Sequence, residues 1–213
     1  MGGEQTVTTS QQSQEAQTGA PDDYRLLLPE DWYRIPLEPE RCIRSVDALV
    51  ERQFKGVDDA PHVKKRVRDE LLDQADKAIA NGGVEMYLSL MKVGPIPVSA
   101  SLVITFIGSG PDVGDLESMA ADIQHASTDG AKATVVELPC GPAVRARSSA
   151  EMGRDETSGE VLSSAAVDYY LPIPHSEAFL LLSFSTPLEA IAEAMVRLFD
   201  AVATSFAWQG GYA

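Results

Sequence analysis

Residues 160–208 constrain the fold more than any other part of this chain. Val167, Tyr169 and Leu171 alternate with Ala166, Asp168 and Tyr170, the period of two of a half-buried strand. Pro172-Ile173-Pro174-His175-Ser176 interrupts the run, because proline removes ladder donors and fixes its own φ. Residues 179–184 are apolar apart from Ser183, as in a central strand covered on both faces. Thr186-Pro187-Leu188-Glu189 matches a capping box with proline at the first helical position. Leu188, Ile191, Met195, Leu198, Phe199, Val202 and Phe206 then recur at three- and four-residue spacing, one broad apolar stripe. The stretch predicts two long strands joined by a proline-rich turn, followed by an amphipathic helix lying on the sheet.

The chain before it reads as one further set of paired elements. Residues 1–23, rich in Gly, Gln, Thr and Ser, bury too little to offset chain entropy and are expected to form a disordered tail. Order is expected over residues 24–208 as a single domain, with residues 209–213 a short C-terminal tail. A short strand ends at Pro29, Trp32 serves as a core or hinge anchor, and a second extended piece covers residues 33–37. Residues 39–55 carry Cys42, Ile43, Val46, Leu49, Val50 and Phe54 at helical spacing. A second helix over residues 62–80 stops at Asn81-Gly82-Gly83. Its basic start, Lys64, Lys65, Arg66 and Arg68, precedes Asp69, Glu70, Asp73 and Asp76, which predicts intrahelical ion pairs rather than an anion site. Val84, Met86, Leu88 and Leu90 alternate with Glu85, Tyr87 and Ser89, so residues 84–90 and 98–107 form a hairpin; residues 115–125 form a helix, and residues 132–138 and 142–148 a second hairpin turning at Pro139-Cys140-Gly141. Strands that come in sequential pairs favour an α+β fold, a mainly antiparallel sheet with helices packed on its faces.

Composition narrows the function classes. The formal net charge of −15 disfavours phosphate-backbone binding, and equally an anionic membrane surface, so neither nucleic acid nor membrane is an expected partner. No run approaches a bilayer span, and the N-terminus carries neither a basic n-region nor an apolar h-region. A cytoplasmic protein is the expectation from these features. Cys42 and Cys140 stand far apart, without a CxxC partner, and read as two reduced thiols rather than a disulfide.

The search for chemistry yields little. His62, His125 and His175 lack a second ligand at i+2 to i+4, so no metal is expected. Gly108-Ser109-Gly110-Pro111-Asp112-Val113-Gly114 fails as a dinucleotide loop, because its third glycine is late, Pro111 removes an amide, and Asp112 and Asp115 repel phosphate. No cofactor and no catalytic residue is assigned. Arg145 and Arg147 share one face of a strand, and Asp168 interrupts an apolar one. Asp168 reads as solvent-exposed on an alternating face, with a buried carboxyl of raised pKa as the alternative. These three residues are the candidate ligand-binding set.

The ordered part resembles the Mog1/PsbP-like superfamily, including its actinobacterial LpqN-type members. Leu28-Pro29-Glu30-Asp31-Trp32 is similar to the opening Leu-Pro-x-x-Trp of such domains. Tyr169-Tyr170-Leu171-Pro172-Ile173-Pro174 and Leu181-Leu182-Ser183-Phe184-Ser185-Thr186-Pro187 follow the pattern at the far end. Departures are the double helix before the first hairpin and the lack of a lipoprotein signal, which counts against a cell-envelope role. The resemblance implies a non-enzymatic interaction or accessory module and carries over no catalytic residues. The expected function is a module of a bacterial cytoplasmic assembly with a protein partner. The alternative is a small-ligand binder or enzyme with a site between sheet and helices.

Overall fold

A computed structural model describes residues 19–56, 61–94, 96–108, 115–128, 130–154 and 161–210. The ordered chain opens with β1 (Asp23–Arg25) and β2 (Trp32–Pro36), followed by helices α1 (Pro39–Gln53) and α2 (Pro61–Ala80). Strand β3 (Gly83–Ser89) leads through a small ribbon, β4 (Lys92–Val93) and β5 (Ile96–Pro97), into β6 (Ser101–Ile107). Helix α3 (Leu116–Ala126) precedes the long meander β7 (Lys132–Leu138), β8 (Gly141–Arg154), β9 (Val161–Pro172) and β10 (Phe179–Thr186). A single 3₁₀ turn (Glu189–Ile191), α4 (Ala192–Thr204) and β11 (Ala207–Gln209) close the chain. Seven strands form one antiparallel sheet in the order β2-β3-β6-β10-β9-β8-β7. The α+β class and the hairpin arrangement expected from sequence are those observed.

Residues 160–208 do hold the centre. Strand β10 lies between β6 and β9, which explains its nearly continuous apolar run. Leu102, Ile104, Val167, Tyr169, Leu171, Leu182 and Phe184 are buried beneath α4, whose Met195, Val196, Phe199 and Val202 face them. Phe184 and Phe199 stack with centroids 5.0 Å apart. Tyr169 meets Phe184 edge-on at 6.4 Å, and Trp32 meets Phe199 edge-on at 6.5 Å, so Trp32 is a core anchor. The opposite face is shared: α1 and α2 cover Ile35 and Met86, while α3 covers Ala133, Val144 and Ala146. The basic start of α2 is spent on ion pairs, Lys65–Asp69 and Arg66–Glu70 within the helix and Lys64–Glu51 and Arg68–Asp47 across to α1.

Several expectations are corrected. No capping box opens the last helix: Thr186 ends β10, fully buried, and its hydroxyl donates to the Ser99 carbonyl at 2.8 Å. A 3₁₀ turn intervenes, α4 starts at Ala192, and Ile191 stays partly exposed instead of joining the buried stripe. Neither tail bound holds: Gln209 belongs to β11 and Asp23 to β1, paired across a two-stranded ribbon whose first strand ends at Arg25, short of Pro29. Strands of three residues carry no readable period, so this pairing left no sequence signal. Val84 is exposed, because the register shifts between Gly83 and Glu85 and breaks the alternation there. The glycine-rich stretch after Gly108 lies outside the described residues. Asp115 beyond it caps α3 by accepting the Ser118 amide at 2.7 Å, which holds its carboxyl below the usual range.

Phe199→Ala removes the ring on which β10, β2 and α4 converge and is expected to cost about 3–5 kcal/mol. Phe106→Ala, at a half-exposed ring, should cost well under about 1.5 kcal/mol. Urea unfolding of both variants checks the ordering, and equal losses would contradict it.

Candidate functional site

Strands β8 and β9 outrun their neighbours. Strand β7 pairs with β8 only as far as Arg147, and β10 pairs with β9 only from Ala165 onward. The β8–β9 ladder itself continues to Arg154 and Val161. A two-stranded ribbon therefore projects past the sheet, and at its base, beside the start of α4, lies an open cleft of about 500 Å³. Its walls carry Lys132 from β7, Arg147 and Ser149 from β8, Ser163 from β9, and Glu189 and Glu193 from the 3₁₀ turn and α4.

A ladder of charged side chains binds α4 to this part of the sheet. Arg147 and Glu193 form a two-bonded ion pair in the cleft wall, and the guanidinium holds the Glu193 carboxyl below the usual carboxylate range. Further along β8, the Arg145 Nε donates to Asp200 Oδ1 at 2.9 Å and its Nη2 to Oδ2 at 3.2 Å. The Tyr169 hydroxyl donates to the same Asp200 Oδ1 at 2.5 Å and accepts from Arg145 Nε at 3.1 Å. Burial, reinforced by the bond to Asp200, pushes the Tyr169 phenol well above its ordinary value. Arg145 and Arg147 are two apart on a strand and Glu193 and Asp200 seven apart on a helix, so each pair shares a face. Lys132, by contrast, makes no ion pair within the described residues.

Asp168 sits elsewhere. It pairs across the ladder with Ala146, which lies between Arg145 and Arg147, so its side chain points to the α3 side of the sheet. The three sequence candidates therefore divide: Arg145 and Arg147 stand together beside α4, and Asp168 is on the other face. Nor is Asp168 simply solvated as expected. It is half-buried, and its carboxylate accepts the Ser183 hydroxyl at 2.5 Å. Burial pushes its carboxyl up, and the Ser183 bond brings it part of the way back.

Other groups stand apart from the cleft. His125 Nδ1 bonds the Ala121 carbonyl at 2.7 Å, and His175 occupies a turn at φ 58°. Cys42 and Cys140 are free thiols, and burial raises both, the opposite of an activated nucleophile. Among the described residues no cluster of three His, Cys, Asp or Glu side chains could hold a metal ion. A smaller apolar groove of about 240 Å³ lies between α1, α2 and β3, lined by Leu49, Val67, Leu71, Leu88 and Leu90. Sequence reasoning missed Lys132, Glu193 and Asp200. Asp200 left a faint trace, an acid inside an apolar helical run and two turns after another acid.

No family model matches this chain, and neither does any curated protein. Among solved structures it is similar to LpqN, a protein involved in cell envelope biogenesis of Mycobacterium tuberculosis. The identity is 11%, the match covers 90% of this chain and 86% of that one, and the TM-score is 0.47. The cytoplasmic location expected from sequence is at odds with the role of that protein, which is one of the cell envelope. Among the described residues no helix is long and apolar enough to cross a membrane, which does not by itself assign a compartment.

Two outcomes test this site. Asp200→Ala strands the Arg145 guanidinium and Tyr169 hydroxyl and should cost about 1–3 kcal/mol in chemical denaturation, with an unchanged midpoint contradicting the network. For Asp168, a folded-state pKa above the unfolded one means that the native protein holds the proton more tightly. Stability then falls as pH rises from the ordinary carboxylate range through the raised value. Asp168→Asn should flatten that fall and raise stability at neutral pH, and unfolding curves across pH check both signs.

Proposed function

We propose that this chain is a non-enzymatic binding module that receives a polar, extended segment of a protein partner in the cleft beside α4. The observation that carries the reading is the cleft itself, open, lined by hydroxyls and charges of both signs, at the base of a projecting two-stranded ribbon. Arg147 and Glu193 are bonded to one another, so they serve better as a fixed dipolar wall than as acid and base. Lys132 and the hydroxyls of Ser149 and Ser163 supply hydrogen-bonding groups toward a segment lying along the ribbon. The Mog1/PsbP-like reading belongs to the same proposal. It rests on the residues 28–32 and 169–187 pattern, and the accessory roles of that superfamily support a module without chemistry of its own.

A second reading is a small-ligand binder using the same cleft, favoured by its volume, which falls within the range of small-molecule sites. An enzyme combining Arg145, Arg147 and Asp168 has no support in the geometry, since the sheet separates them.

Ser163→Trp places an indole in the cleft without touching the ion pairs. Proteins from a native lysate retained by the immobilised wild-type chain should bind the variant roughly tenfold more weakly, while Phe106→Ser, remote from the cleft, retains them. Equal retention by all three would sink the partner reading. A small molecule released by denaturing the purified wild-type chain, and absent from Ser163→Trp, would transfer the site to the second reading.

A further inference from the structure

The two edges of the main sheet are treated differently. Strand β2 is screened: Ser45 of α1 donates its hydroxyl to the Arg34 carbonyl at 3.2 Å, Tyr33 reaches back to the Ser45 carbonyl, and Pro36 ends the strand. Where β8 outruns β7, its outer edge is interrupted by a register shift between Glu151 and Gly153. Strand β7 has neither device. It contains no proline and no bulge, its charges Lys132 and Glu137 lie toward its ends, and no described backbone group outside β8 bonds to it.

The main chain of β7 is also self-complementary. The β7–β8 hairpin closes on Leu138 and Gly141 around the two-residue loop Pro139-Cys140. A pair that closes such a loop exchanges hydrogen bonds, so by alternation Lys132, Thr134, Val136 and Leu138 spend their amides and carbonyls on β8. Pro142, which has no N–H, stands opposite Glu137 and agrees with that phase. Ala133, Val135 and Glu137 therefore direct N–H and C=O groups outward.

We propose that the β7 edge is the interface of a homodimer in which two copies join antiparallel about a two-fold axis normal to the sheet, centred on Val135. In this register Ala133 opposes Glu137 of the second copy and Val135 opposes itself, so the outward-facing groups meet one another. About six main-chain hydrogen bonds result. Such an axis keeps α4 on one face of the joined sheet and α3 on the other, and a one-residue slip would break that match. Helix α3 lies over β7 and β8. Its copy then stands two strand spacings away, roughly 10 Å, the separation of packed helices. The interface thus gains side-chain area beyond the strand pair.

Sedimentation of the full chain from low to high micromolar concentration tests this directly. The expected result is a concentration-dependent dimer. Glu137→Pro, which removes one outward N–H at an exposed position, should weaken the dimer roughly tenfold or more. As a check independent of that variant's folding, Thr134→Cys with Val136→Cys in a Cys140→Ser background places the new thiols opposite each other across the axis. It should give a covalent dimer on a non-reducing gel. A monomer at every concentration overturns the proposal, as does a dimer that neither cross-links nor responds to Glu137→Pro.

Discussion

The seating of Phe199 on Phe184 is the contact on which the rest of this molecule depends. It joins α4 to the central strand, and through Trp32 and Tyr169 it draws in β2 and β9. Each of these buried aromatic side chains contributes on the order of 1.5–3 kcal/mol by leaving water. The Arg147–Glu193 pair at the margin, with both side chains substantially exposed, is worth far less. Apolar packing therefore holds the helix down, and the charged ladder fixes how it lies across β8. Because α4 rests on the middle of the sheet while β8 and β9 run on past it, a polar recess is left where helix and ribbon part.

The two faces of the sheet do different work. Under α4 a single aromatic and aliphatic layer is continuous. On the other face, α1 with α2 and α3 cover separate ends, and the rows of β9 and β10 between them run from Tyr170 and Leu181 into the smaller or polar Asp168, Ser183, Ala166 and Ser185. Asp168 and Ser183 occupy that interval, where a carboxylate is poorly hydrated yet has a hydroxyl to bond. A protein gains no stability from such a group at neutral pH. The polar machinery beside α4 is, by contrast, internally neutralised and well bonded, suited to presenting a fixed pattern of donors and acceptors to a partner.

Side-chain periods made most of this legible in the chain alone. The alternation around Val167–Leu171, the continuous run of β10, most of the stripe of α4 and the paired helices before β3 follow from local patterns of 2 and 3.6 residues, with Ile43 and Ile191 left exposed outside the stripes they were read into. Termini and caps were less legible. Thr186 has the residue type of a helix cap, and its oxygen does accept the Leu188 amide at 3.3 Å. Its hydroxyl, however, donates to Ser99, far away in sequence, and holds it as the last residue of β10, six residues before α4 begins.

What the sequence determined, then, is which segments are strands or helices and which of their faces are apolar, because those depend on neighbours a few residues apart. Only the tertiary structure decided which polar residues meet. Arg145, Arg147 and Asp168 looked like one set. The register that places Ala146 against Asp168 put them on opposite sides of a sheet, and the helix two turns long between Glu193 and Asp200 chose the arginines' partners instead. The recess beside α4 and the β7 edge, left open among the described residues, likewise arise from how far one strand outruns the next and from what lies over its border. Strand lengths relative to neighbours are set by long-range pairing, which no local period records.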